Sequence, residues 1–152
     1  MKLIEAPDPS FGALGEPDLF LAGGITGCPD WQAEMAGLLA GTCLTVYNPR
    51  RKNFPIHDPN AAKAQIEWEY LRLDCASMVL FWFARGSLNP IVLYELGMWG
   101  NSRVRPIFVG CDPHYERTQD VLIQTGLARP EVRVAPSLLD LAEQVRQAAL
   151  RS

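Results

Sequence analysis

Met78-Val79-Leu80-Phe81-Trp82-Phe83 is an unbroken run of apolar and aromatic residues. It is rich in the side chains that pack well on a pleated surface and reads as the central strand of a sheet. After it, Ala84 to Leu88 form a loop. Asn89 is a good N-cap and Pro90 a good first helical residue, so a helix runs from Asn89 to about Asn101. Before it, Asn60 caps a helix from Ala61 to about Ala76 whose apolar stripe is Ile66, Tyr70 and Leu73. Further outward, Leu19-Phe20-Leu21-Ala22 is a short apolar run without alternation, as expected of a strand buried on both faces, and it runs into Gly23-Gly24. Asp30 to Ala40 is a helix with Trp31, Met35, Leu38 and Leu39 on one face, ended by Gly41. Cys43 to Tyr47 and Arg105 to Gly110 are strands, and Val132-Arg133-Val134 is a short fifth one. Tyr115 to Thr125 and Ser137 to Leu150 are helices. The alternation of strand and helix predicts an α/β domain with a five-stranded, mainly parallel sheet and helices on both faces. Residues 1–17, broken by Pro7, Pro9, Gly12, Gly15 and Pro17, read as an irregular extension with at most a short edge strand near Lys2 to Glu5, so that residues 18–152 are the domain proper.

The 152 residues, 48% hydrophobic and 20% charged, suit one core. The net charge of −3 and scattered basic residues argue against nucleic acid as a partner. No apolar run approaches the length of a membrane span, and no basic-then-apolar leader begins the chain. Cys28, Cys43, Cys75 and Cys111 are widely separated and accompanied only by His57 and His114, so a zinc site or disulfide framework is not expected. Each cysteine reads as a small buried hydrophobe, and a reducing cytoplasm suits the chain.

Glu95 is the residue that the helical pattern does not explain. Its neighbours at helical spacing are Ile91, Val92, Met98 and Trp99, so the carboxylate is desolvated on at least one side. It either reaches solvent or an arginine, or it lies at the edge of a cleft. Glu69 is a second carboxylate tilted toward the buried side of its helix, with Arg72 or Lys63 as alternative ion-pair partners. Gly23 and Gly24 allow a tight turn and a close approach of backbone to ligand. The loop from Asn48 to Pro59 follows a strand's carboxyl end, where open α/β sheets bind ligands. Within it Arg50, Arg51 and Lys52 would meet a phosphate or simply solvent. Neither a dinucleotide fingerprint nor a P-loop is present.

Leu19-Phe20-Leu21-Ala22-Gly23-Gly24-Ile25, Trp68-Glu69 with Asp74 and the strand after it, and Glu95-Leu96-Gly97 occur in an order that resembles the nucleoside 2-deoxyribosyltransferases and their related N-glycosidases. The similarity covers about residues 18 to 110. It implies a single flavodoxin- or Rossmann-like three-layer domain. Glu95 would be the nucleophile on the anomeric carbon, Glu69 an acidic residue near the base, and Asn89 stands where well-studied members have an Asp; an amide there can orient but cannot protonate a leaving nitrogen. Gly23, Gly24, Ile25, Tyr47, Asn48, Arg50 and Trp68 would contact a nucleoside or nucleobase, with Tyr47, Trp68 and Trp82 as aromatics available to cover the base, Trp82 more simply as core. No metal or other cofactor is called for. The resemblance further implies a homo-oligomer, dimer or higher, with sites near subunit interfaces to which exposed aromatics such as Trp99 would contribute. The activity expected is exchange of nucleobases on 2'-deoxyribonucleosides through a covalent deoxyribosyl-Glu95 intermediate. The alternatives are hydrolysis of deoxynucleoside 5'-monophosphates or related N-glycosides, with Arg50 or Arg51 on the phosphate, and a non-catalytic nucleotide-binding module.

Overall fold

The computed structural model describes residues 1–55 and 57–151; Ile56, within the proline-rich loop, and Ser152, the last residue of the expected domain, lie outside the described residues. The chain runs β1 (Lys2–Glu5), β2 (Asp18–Gly23), α1 (Trp31–Leu38), β3 (Thr45–Asn48), α2 (Ala61–Cys75), β4 (Met78–Phe83), α3 (Pro90–Trp99), β5 (Ile107–Cys111), α4 (Thr118–Ala128) and α5 (Leu138–Ala149). All strand pairs are parallel, in the order β1-β3-β2-β4-β5.

Period-two alternation along the strands divides the core into two layers. Phe20, Ala22, Val79, Phe81, Phe83 and Val109 face α2, α3 and α4, together with Trp68, Val92, Trp99 and Val121. Leu19, Leu21, Leu80, Trp82 and Phe108 face α1 and α5, where they meet Trp31, Met35, Leu141 and Val145. Every β4 residue is buried, as a strand covered on both faces requires. Trp82 is 6% exposed in the second of these layers.

The sheet has five strands, but not the five that local pattern suggests. Lys2–Glu5 pairs with β3 over its whole length. Val132 to Val134 is not a strand: a single bridge between Gly110 and Ala135 is all the pairing this segment makes. The short run cannot extend along β5 because Ser137 caps α5 at once, its hydroxyl accepting from the Asp140 amide at 3.1 Å.

Helix α2 buries a different face from the stripe of its most apolar residues. Ile66 and Tyr70 are 64% and 57% exposed, whereas Gln65, Trp68, Arg72 and Leu73 are buried. The reason is the N-terminal segment. Trp68 Nε1 donates to the Asp8 carbonyl at 2.6 Å, and the Arg72 guanidinium donates to the carbonyls of Asp8, Pro9 and Ser10 at 3.3, 2.7 and 3.0 Å. Phe11 lies over that guanidinium at 3.7 Å. Lys2–Glu5 is thus part of the sheet, and Asp8 to Phe11 are packed against its helical cover. The cysteines also depart from expectation: Cys111 is buried, Cys28 is half-buried, and Cys43 and Cys75 are exposed free thiols. Among the described residues no helix is long and apolar enough to cross a membrane.

Candidate active site

Strand β2 connects through α1 to β3 on one side of it and is flanked by β4 on the other. The carboxyl ends of β2 and β4 therefore flank the point where the strand order reverses, the usual place for a ligand in an open parallel sheet. A cavity of about 320 Å³ opens there, lined by Phe20, Ala22, Gly23, Gly24, Ile25, Thr26, Pro49, Glu69, Ser87, Asn89, Pro90, Ile91, Val92 and Glu95. Its size is within the range of small-molecule sites, about 300–1,000 Å³.

Glu95 and Glu69 are the two carboxylates in that lining, brought together from α3 and α2. The surroundings of Glu95 differ in part from those the helical spacing suggests. Val92 and Trp99 are buried beside it, but Ile91 and Met98 are 64% and 48% exposed. Burial pushes the Glu95 carboxyl up to about 7, and the charge of Glu69 adds to the effect. Burial also raises Glu69, while a hydrogen bond from Gln65 opposes the rise. Neither expected cation pairs with Glu69: Lys63 sits 3.7 Å from Glu67, and Arg72 is turned to the N-terminal segment. Instead Gln65 Nε2 donates to Glu69 Oε1 at 2.7 Å and to the Pro49 carbonyl at 2.7 Å.

Asn89 occupies the N-cap position of α3 in the left-handed conformation, φ 47°, and its side chain caps no helical amide. Nδ2 donates to the carbonyls of Ala84 and Ser87 at 3.1 and 3.0 Å, and Oδ1 faces Cys28 Sγ at 3.4 Å. Asn60, by contrast, makes no cap bond at the start of α2; its own amide bonds to Asp58. Gly24 leaves the space that Asn89 fills, for a Cβ there would stand 1.9 Å from Oδ1 and 2.5 Å from Cys28 Sγ. A Cβ on Gly23 would stand 2.2 Å from the Trp31 ring and 2.9 Å from the Trp82 carbonyl. Both glycines line the cavity, and the room they leave is taken by neighbouring protein atoms.

Arg50 holds the β2–α1 loop from outside. Its guanidinium donates to the carbonyls of Ile25, Cys28 and Pro29 at 3.1, 3.3 and 2.9 Å and to Gln32 Oε1 at 2.9 Å, and pairs with Asp30 at 3.3 Å. Trp31 Nε1 and Gln32 Nε2 donate to the Gly24 carbonyl at 2.9 and 3.3 Å. Asn48 bonds Glu5 and the Arg50 amide, leaving Pro49 to line the cavity. Tyr47 and Trp68 are held in the core rather than in the lining: the Tyr47 hydroxyl donates to Asp18 at 3.0 Å, and the two rings meet edge to face at 6.5 Å. Trp99, buried against Tyr70 at 5.7 Å, is not an exposed aromatic.

Phe20, Ala22, Thr26, Ser87 and Val92 complete the wall and escape sequence reasoning, since none carries an anomalous charge or spacing. Gln65 has a readable signal: it lies four residues before Glu69 on one helical face. Among the described residues no group of three or more His, Cys, Asp or Glu is placed to hold a metal ion. The arrangement offers two desolvated carboxylates, a hydrogen-bonded glycine loop and an otherwise uncharged wall.

A search of curated proteins finds no match. The family model described as "Nucleoside 2-deoxyribosyltransferase like" matches residues 16–115, an interval that contains every residue of the cavity lining. The chain belongs to the nucleoside 2-deoxyribosyltransferase-like family.

Proposed function

We propose that this protein is a nucleoside 2-deoxyribosyltransferase that exchanges nucleobases on 2'-deoxyribonucleosides in nucleoside salvage. The observation that carries the reading is the convergence of Glu95 and Glu69 in one cavity at the sheet's switch point. Glycosyl transfer with retention needs a carboxylate that attacks the anomeric carbon and a proton for the leaving group. Glu95 is the nucleophile and forms the deoxyribosyl ester; Glu69 serves the base. Gly23, Gly24 and Ile25 form the floor against which the sugar sits. Asn89 packs against Gly24, is held by the carbonyls of Ala84 and Ser87, and supplies no proton. With Nη2 of Arg50 engaged by the β2–α1 loop and Nε by Gln32, we assign it no phosphate, which weighs toward nucleosides over 5'-monophosphates.

A homo-oligomer fits the surface beside the cavity. Ile66, Tyr70, Ile91, Tyr94 and Met98 are exposed apolar residues on α2 and α3, and Ile91 also belongs to the lining. Such a patch suits a subunit interface near the site. Four free thiols suit a reducing compartment, the cytoplasm.

The test is to incubate the protein with a 2'-deoxynucleoside and a different free base and to follow both bases and the sugar by chromatography. Formation of the new deoxynucleoside, lost in Glu95→Ala, is the expected result. Release of free deoxyribose without exchange would make the protein a hydrolase, and inertness toward every nucleoside would remove the catalytic reading.

A further inference from the structure

Two half-buried carboxylates in one small cavity do not both ionise readily, and they compete for any proton the pair holds. The other members of the lining bear no titratable side chain. Arg72 on α2 and Arg50 beside the β2–α1 loop are both turned to backbone carbonyls, and the Cys28 thiol faces Asn89. Where the proton rests is therefore decided by hydrogen bonds to the carboxylates themselves.

Gln65 makes one such bond. The residue is 8% exposed, and both hydrogens of Nε2 are committed, one to Glu69 Oε1 and one to the Pro49 carbonyl, while Oε1 is buried without a partner among the described residues. The reverse orientation would set Oε1 against two oxygens. A donor 2.7 Å from a carboxylate favours its charged form. We infer that Gln65 is the positioning residue of this site: its amide keeps Glu69 ionised, so that the proton of the Glu69–Glu95 pair rests on Glu95.

The inference rests on the glycosyl-transfer reading for its chemical consequence. Protonated Glu95 is no nucleophile, and it faces the sugar rather than the departing base. When the nucleoside binds, the proton passes from Glu95 to Glu69, and from Glu69 to the base nitrogen. The C1'–N bond breaks with its electron pair going to the base, and a bond forms between C1' and a Glu95 oxygen. The products are the neutral free base, the Glu95 glycosyl ester and Glu69 ionised again under the Gln65 amide. Charge and protons balance, and Asn89, which has none to give, is not needed as an acid.

Carbon-13 NMR of carboxyl-labelled glutamate reads the proton directly and needs no turnover. In the parent protein Glu69 should titrate at lower pH than Glu95. In Gln65→Met and in Gln65→Asn, too short to bridge, the Glu95 midpoint should fall by about one pH unit or more and the Glu69 midpoint should rise. The acid limb of the kcat/KM profile for base exchange should move with them. Glu69 titrating above Glu95 in the parent, or midpoints indifferent to both substitutions, would overturn the assignment. If neither variant folds, the order of titration in the parent decides. Base exchange with Gln65-independent titrations would remove the positioning role and leave the transferase; the expected titrations without exchange would do the reverse.

Discussion

Replacing Glu95 with Gln should make the protein more stable at alkaline pH while abolishing sugar transfer. A carboxyl that titrates near its ordinary 4.5 in the unfolded chain and at about 7 in the fold binds its proton more tightly when folded. The sign follows. Below pH 4.5 both states are protonated and the contribution is fully present. From there to about 7 the unfolded chain has lost the proton that the fold keeps, so stability falls by about 1.4 kcal/mol per pH unit. Across that interval the loss is about 3 kcal/mol. Glu95→Gln has no such slope, so the advantage of the variant over the parent should grow by about 3 kcal/mol between pH 4 and pH 8. In a domain of this size each kcal/mol moves Tm by about 2–4 °C, giving a differential of about 6–12 °C. Thermal melts by circular dichroism at half-unit steps from pH 4 to 8.5, with urea titrations at the two ends, measure it. Parallel stability profiles for parent and variant would refute the claim that Glu95 is buried at the expense of its charge. A site that destabilises its own fold in this way is the usual company of catalytic function.

Three further substitutions probe the cavity floor. Gly24→Ala places a methyl 1.9 Å from Asn89 Oδ1 and should cost about 1–3 kcal/mol in urea unfolding together with most of the base-exchange rate. Asn89→Asp sets an acceptor against the carbonyls of Ala84 and Ser87; it should cost about 2–4 kcal/mol at pH 8 and less at pH 5, where the raised carboxyl takes up a proton, as paired denaturation curves would reveal. Arg50→Ala frees the β2–α1 loop and should raise KM for nucleosides and for 5'-monophosphates by the same factor, since the loop rather than a phosphate is what it holds. A selective loss on monophosphates in steady-state kinetics would contradict that account.

The central strand, the two helices that carry the carboxylates and the approximate place of the cleft are legible because each rests on a long apolar pattern or a strong boundary residue. Glu95 stands out for the same reason: a charge between Val92 and Trp99 breaks a pattern. What escapes reading depends on partners distant in sequence. Arg72 looks like a solvent-facing residue of α2, and the spacing of Gln65 to Glu69 does not by itself tell that it is buried; both are buried because Pro49 and residues 8–10 offer them carbonyls. Ile66 and Tyr70 look like its core face and are exposed. Tyr47 and Trp68 have the chemistry of a base platform, but the polar atom of each has found a partner away from the cavity. Lys2–Glu5, by contrast, is legible as a short edge strand, and it pairs with β3 over its whole length.

Helix α2 is gripped from two sides. One row of side chains, Trp68 and Arg72, is tied to the carbonyls of Asp8, Pro9 and Ser10; in the next row Glu69 lines the cavity and Gln65 bonds it. The first dozen residues thus work as a mooring line, setting the roll of the helix about its axis and with it the aim of Glu69. A chimera that grafts this pocket onto another α/β scaffold would have to bring residues 1–12 along. A truncation made there for convenience would detune a carboxylate more than fifty residues away in sequence.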